Sequence, residues 1–334
     1  MIAIASDKFK GTLTSVEAGE AIREALSSLD KDIAVLVMAD GGEGTAAALD
    51  ARNMGTFYEF TDGDSIACAY VPSCAEGMDW ASEMNSDPEL RKRSSYPVGK
   101  AIRDAIEHGY SRIYVGIGGT RTADGGLGLL QGLGYHIDID NDGLPTAIKP
   151  PETDIYNGAI IGLADVACPL YAENGLSAMS FLAQKGATDS DTAYIRNLFR
   201  RLKSLYSTPD LHGGAGGGIG FAIETVLGCR CHDGAPVILH HALSRLKRLP
   251  DLLVAGEGRI DSQTLGGKAV EAVRRYGEAH SIPVATLCGS IADNVNLPDT
   301  FACVSDGAPI PSAPYAALVE TAYRAIPTIK KLLK

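Results

Sequence analysis

Short apolar runs that end in glycine, serine or aspartate, then give way to helical periodicity, recur six times along the chain. The run at 2–5 leads into Ser6-Asp7-Lys8, that at 33–38 into Asp40-Gly41-Gly42, and that at 113–117 into Gly118-Gly119. The runs at 252–255, 284–288 and 301–304 lead into Gly256-Glu257-Gly258, Gly289-Ser290 and Ser305-Asp306-Gly307. Apolar runs bounded this way predict strands buried on both faces, with crossover helices after them. Thr14 predicts a helix N-cap, with Glu17 in the first turn and Ala18, Ala21, Ile22, Ala25 and Leu26 on one face. Val98, Ile102, Ala105 and Ile106 predict a second helix over 98–108, capped by Gly109, and a third is predicted near 190–206. The whole pattern predicts an α/β protein on a doubly wound parallel sheet, with ligands at the carboxyl ends of its strands.

Two stretches break the rhythm. Residues 61–94 hold an alternating run (Ile66, Cys68, Tyr70) and then a polar segment, while 135–247 hold loops, a glycine-rich run and the 190–206 helix. Both are expected to form a second α/β lobe inserted into a first lobe made of 1–60, 95–134 and 248–334. A length of 334 residues suits two lobes better than one core. The net charge of −11 disfavours a nucleic-acid partner, so any anionic ligand must be met by local cations and backbone N–H groups. Seven scattered cysteines show no disulfide framework, which points to a reducing compartment, and no run is long enough to span a bilayer. A soluble cytoplasmic protein with no membrane partner is expected.

Phosphoryl transfer needs backbone donors for phosphates, cations on the transferring group and carboxylates for a metal. The predicted strand ends offer all three. Asp7, Lys8 and Lys10 crowd the first, although a solvated turn explains that hexapeptide equally well. Asp40 and Glu43 flank Gly41, Gly42 and Gly44 before Thr45, a pattern suited to an anion site at a helix N-terminus with a metal beside it. Gly118, Gly119, Thr120, Arg121 and Asp124 crowd the third turn, and Gly213–Gly220 form a run that close helix packing explains as well as a ligand does. Glu257, Arg259 and Asp261, with Lys268 beyond, could hold Mg²⁺, take a hydroxyl proton and meet anionic groups. Neither GxxxxGK[ST] nor GxGxxG is present, so no standard nucleotide loop or dinucleotide-dependent oxidoreductase is supported. Cys229, Cys231, His232, His240 and His241 lack a second cysteine pair at zinc spacing, and ordinary packing accounts for them.

On these residues the chain resembles the glycerate kinase family of the two-lobed bacterial type, over nearly its whole length and with the motifs in one order. Asp7-Lys8-Phe9-Lys10-Gly11 is similar to the family's opening D-S-F-K-G turn, and residues 39–45 read A-D-G-G-E-G-T as the family does. Residues 118–126 are similar to G-G-S-A-T-N-D-G-G, and Asp165-Val166 with Pro169-Leu170 to D-V-x-N-P-L, Cys168 standing for Asn. Gln184-Lys185-Gly186-Ala187 and 214–220 follow in step, and 256–264 with Gly267-Lys268 match G-E-G-R-I-D-x-Q-T…G-K. The resemblance implies ATP and Mg²⁺, D-glycerate as acceptor, and a flavodoxin-like lobe joined to an inserted α/β lobe. It leaves open whether the 2- or the 3-hydroxyl is phosphorylated.

Departures cluster between 60 and 100: Ala75-Glu76-Gly77-Met78 stands for A-S-G-L, and 94–99 for a T-x-G-T-G-like turn. A Glu there would repel a carboxylate, so a kinase of another small hydroxy acid or polyol is the first alternative. The second is a non-catalytic two-lobed solute-binding protein, in which the clustered acids and cations would be superfluous. For the kinase, a site in the cleft between the lobes is expected, with Asp40 and Glu257 on Mg²⁺ and Lys8 and Lys10 on the transferring phosphoryl group. Arg259 is expected to clamp the acceptor carboxylate and Asp7 or Asp261 to accept the proton. Gly41, Gly42, Gly44, Thr45, Gly118, Gly119, Asp124, Gly216, Gly217 and Lys268 are expected around the nucleotide. The oligomeric state is open, a homodimer included.

Overall fold

The computed structural model describes residues 1–42, 44–49, 58–61, 65–70, 87, 89–107, 112–152, 159–261 and 268–334. Its strands are β1 (Ile2–Ser6), β2 (Ile33–Val37), β3 (Tyr58–Thr61), β4 (Ser65–Tyr70), β5 (Arg112–Gly116), β6 (His136–Ile139), β7 (Pro145–Lys149), β8 (Ala159–Ala164), β9 (Arg230–Asp233), β10 (Leu252–Ile260), β11 (Val284–Ile291) and β12 (Thr300–Ala302). Its helices are α1 (Ser15–Leu26), α2 (Thr45–Ala48), α3 (Tyr96–Glu107), α4 (Leu127–Gly132), α5 (Asp189–Leu205), α6 (Ile219–Phe221), α7 (Gly234–Ser244), α8 (Ala269–His280) and α9 (Pro314–Leu332). They fall into two compact units: Met1–Asp40, Ala47–Leu49 and Gly234–Lys334 in one, Gly41–Ala46 and Asp50–Asp233 in the other.

The first unit is a five-stranded sheet in the order β12-β11-β10-β1-β2, every pair parallel. Counted within the unit this is the order 2-1-3-4-5 of flavodoxin-like sheets. The predicted start of α1 is a complete capping box: Glu17 N–H donates to Thr14 Oγ1 at 3.2 Å, and Thr14 N–H donates to the Glu17 carboxylate at 2.8 Å. Such a cap satisfies two backbone donors that the first turn leaves open. The apolar faces of α1 and α9 pack on Ile2, Ile4, Leu252, Val254, Ala285 and Leu287. Alternate residues Ala3 and Leu253 are equally buried, where α8 lies against β1 and β10, while α7 packs on α8 and β2.

The second unit carries the sheet β3-β4-β5-β8-β9, in which β3 runs antiparallel to β4 and the other pairs are parallel. Val98 and Ile102 of α3 and Leu129 and Leu130 of α4 join Ile113, Val115 and Ile160 of the sheet in one core. A second core gathers Ile195, Leu198, Phe199 and Leu202 of α5 with Leu90, Leu170 and Phe221. β6 and β7 form a separate hairpin.

The expected lobe boundaries differ from these units. Residues 95–134, expected in the first lobe, belong to the second unit because β5 pairs with β4 and β8. Residues 234–247, expected in the second lobe, belong to the first, where α7 packs on α8. A buried apolar run reports burial and says nothing of which strands flank it. The predicted cap Gly109 lies outside the described residues.

Candidate functional site

In the first unit the strand order reverses between β1 and β10, so their carboxyl ends form the crevice where such sheets bind ligands. Asp7 leaves β1 there. Its N–H donates to the Gly256 carbonyl at 2.8 Å, and its carboxylate accepts the Lys8 N–H at 2.8 Å. Only 7% of Asp7 is exposed. Burial first, and then the negative charge of Asp40, push its carboxyl up to about 7, against the pull of the Lys8 N–H and of the Lys8 and Lys268 cations. Three segments distant in sequence therefore bring Asp7, Lys8, Asp40 and Lys268 together. Ser15, the first residue of α1, helps set the spacing: its hydroxyl donates to the Ser6 carbonyl at 2.7 Å and accepts the Met38 N–H at 2.9 Å.

Glu257 is buried on β10, opposite Cys288 of β11. Burial chiefly, helped by the charges of Cys303 and Glu257, pushes the Cys288 thiol up to about 12. Of the neighbouring carboxylates, it is Asp40 whose charge acts on Asp7. A hard divalent cation needs only one or two carboxylates when phosphates and water complete its shell, a number that the crevice supplies. No cage of three or more His, Cys, Asp or Glu side chains assembles among the described residues.

Arg259 is not poised as a free fork. Its Nε and Nη2 donate to the two carboxylate oxygens of Asp306, each at 3.1 Å. Asp261 follows the end of β10. Beside the crevice opens a pocket of 460 Å³, reached by Phe9 and Lys10 after β1, Gly258 and Arg259 on β10, and the segment after β12. Another concavity, of 420 Å³, lies along α1 and reaches Ile33 at the start of β2, the wrong end of the sheet for a ligand site.

The other expected site residues lie in the second unit and are largely taken up by packing. Gly41 has φ +101°, and a Cβ there would run into the Leu163 carbonyl; its own carbonyl accepts the Gly118 N–H at 3.0 Å. Gly42 and Gly44 continue this turn, and the buried Thr45 hydroxyl donates to the Gly42 carbonyl at 2.7 Å. Gly119 stands exposed beyond Gly118. Gly216 and Gly217 form a tight turn in which a Gly217 Cβ would overlap the Thr122 carbonyl. The glycine-rich run is thus a site of close backbone approach. Asp124 is saturated: its carboxylate accepts the Ser95 N–H (2.7 Å), the Ser95 hydroxyl (2.9 Å), the Gly126 N–H (3.0 Å) and the Gly128 N–H (3.1 Å). It ties the starts of α3 and α4 together. Glu43, Gly266, Gly267 and the divergent 75–78 lie outside the described residues.

Two second-unit features have geometry that the sequence does not give. The Lys185 Nζ donates to the Thr122 carbonyl at 2.7 Å, bracing the turn after β5. The buried His212 ring lies between Glu224 (Nδ1, 3.0 Å) and Asp233 (Nε2, 3.1 Å), whose hydrogen bonds push it up to about 9. Only the motif Gln184-Lys185-Gly186-Ala187 signalled the first, and nothing in spacing signalled the second.

Among known proteins, the model of the glycerate kinase family matches residues 2–312. The chain is similar to a glycerate kinase of Bacillus subtilis (strain 168), at 32% identity over 88% of this chain and 86% of the relative. It is also similar to a glycerate 2-kinase of Escherichia coli (strain K12), at 29% identity over 89% of this chain and 87% of that one. The crystal structure of a glycerate kinase 2 from Salmonella typhimurium LT2 aligns with a TM-score of 0.74 at 25% identity, covering 99% of this chain and 98% of the other.

Proposed function

The chain belongs to the glycerate kinase family and is a phosphotransferase, and we propose that it moves the γ-phosphoryl group of ATP, with Mg²⁺, onto a hydroxyl of D-glycerate. The observation that carries this reading is Asp7: a buried carboxyl at about 7, beside two lysines at the strand reversal. A base is most effective when its pKa lies near the working pH, so Asp7 suits removal of the acceptor's hydroxyl proton. Lys8, with Lys10 at the exposed end of the same turn, neutralises the transferring phosphoryl group. Asp40, with Glu257 on β10, supplies oxygen ligands for the metal, which when bound offsets charge on the phosphate oxygens. Arg259 is committed to Asp306, so the acceptor carboxylate is not assigned to it.

The test is coupled ADP release from Mg-ATP with D-glycerate, L-glycerate, glycolate, erythronate and glycerol, the product's phosphate being located by ³¹P NMR. D-glycerate should turn over only with Mg²⁺, and Glu257→Gln should collapse the rate. Turnover confined to glycerol or erythronate would overturn the acceptor while leaving the kinase.

A further inference from the structure

We propose that the 460 Å³ pocket beside β10, β11 and β12 binds the nucleoside portion of the nucleotide, its purine lying against the Val304–Pro314 wall. This rests on the kinase reading above and assigns to the nucleotide a place that the strand-end motifs did not predict.

The pocket has the size and the surface for a nucleoside. Enclosing ligand sites run from about 300 to 1,000 Å³ and are mostly apolar with a few polar groups; a three-carbon acid would leave most of 460 Å³ unfilled. Val304, Ala308, Ile310 and Pro311 supply apolar contact for a planar base, and Ser290 and Thr12 supply hydroxyls. Gly258 and Gly289 bare the floor, since a Cβ on Gly289 would strike the Gly258 carbonyl and one on Gly258 would press on Phe9 Cα. Ile310 stands 69% exposed, an apolar side chain on the wall with solvent around it.

Connectivity fixes the direction of the ligand. The residues that line the pocket at 9–12 and 258–259 directly continue those that carry Asp7, Lys8 and Glu257. A nucleoside in the pocket would thus have Lys10 at its mouth and the crevice cations ahead of its phosphates, which is where negative charge is favoured.

Ile310→Asp and Ala308→Trp change exposed positions, one adding charge to the wall and the other filling the space. Calorimetric titration of the full chain with adenosine, ADP and inorganic tripolyphosphate tests the assignment. Both variants should lose at least tenfold in adenosine and ADP affinity, keep tripolyphosphate affinity within twofold, and melt within about 2 °C of the parent. In turnover, KM for ATP should rise at least tenfold while KM for D-glycerate holds. Unchanged adenosine and ADP affinity in both variants, or no binding of either to the parent, would overturn the pocket. If the parent turns over D-glycerate but the variants keep its KM for ATP, the pocket fails and the kinase stands. If the parent turns over no acceptor yet the variants lose ADP affinity, the acceptor reading fails and the pocket stands.

Discussion

Asp7, buried, and Asp124, half-buried, both lie beyond the carboxyl end of a parallel strand and both have carboxyls raised by desolvation, yet their partners differ. Burial first, and then Asp40's negative charge, hold Asp7 up to about 7. Asp124 accepts hydrogen bonds from Ser95, Gly126 and Gly128, so its carboxylate is spent on joining two helix starts. The same contrast holds for the glycines. Gly258 and Gly289 line a pocket as well as meeting backbone, whereas Gly217 meets the Thr122 backbone and is no part of that pocket. A cluster of acids and glycines marks a strand-to-helix turn, and what decides its use is whether its polar groups are satisfied from within.

Four substitutions put this contrast at risk. The largest effect belongs to Asp7→Asn, which should lower kcat by about 10²–10⁴. It should also stabilise the fold above neutrality. Between pH 4 and 7 the folded chain keeps the Asp7 proton that the unfolded chain has released, so this residue's contribution to stability falls as pH rises. Thermal melts should place the Asn variant about 2–4 kcal/mol above the parent at pH 8, with the gain gone at pH 4. A variant that melts lower at pH 8 would mean that Asp7 is structural in the way Asp124 is.

Next in size, Gly217→Ala and Asp124→Ala should each cost about 2–4 kcal/mol in denaturant unfolding, through a backbone clash and through orphaned donors respectively. If Asp124→Ala kept its stability and lost only nucleotide affinity, Asp124 would be a ligand residue. Smallest is Asp306→Asn: its exposed partner pair should shift the melting temperature by no more than about 2 °C.

Much of the fold was legible in the sequence. Thr14 and Glu17 announced the capping box, and the apolar runs announced β1, β2, β10, β11 and β12. The 135–247 stretch was harder. β8 carries Gly162 in mid-strand, where Cys231 of β9 approaches too closely for a Cβ, and that glycine hides the strand's pattern. Sheet membership was illegible for the same kind of reason, since register and neighbours are tertiary facts. For the site, Asp7, Lys8, Asp40 and Lys268 were named from their positions after strands. That Asp40 presses on Asp7, and that Asp306 takes Arg259, are matters of side-chain direction that no spacing encodes.

The hydroxyl of Ser15 touches both the end of β1 and the turn into Met38, and so acts as a gauge block between two carboxylates that it never meets. An enzyme built this way can retune the spacing of its acids by editing a neutral side chain at the foot of a helix. Each acid would keep its place in the sequence while the distance between them drifted, which gives this catalyst a route of adaptation that leaves its signature motifs intact.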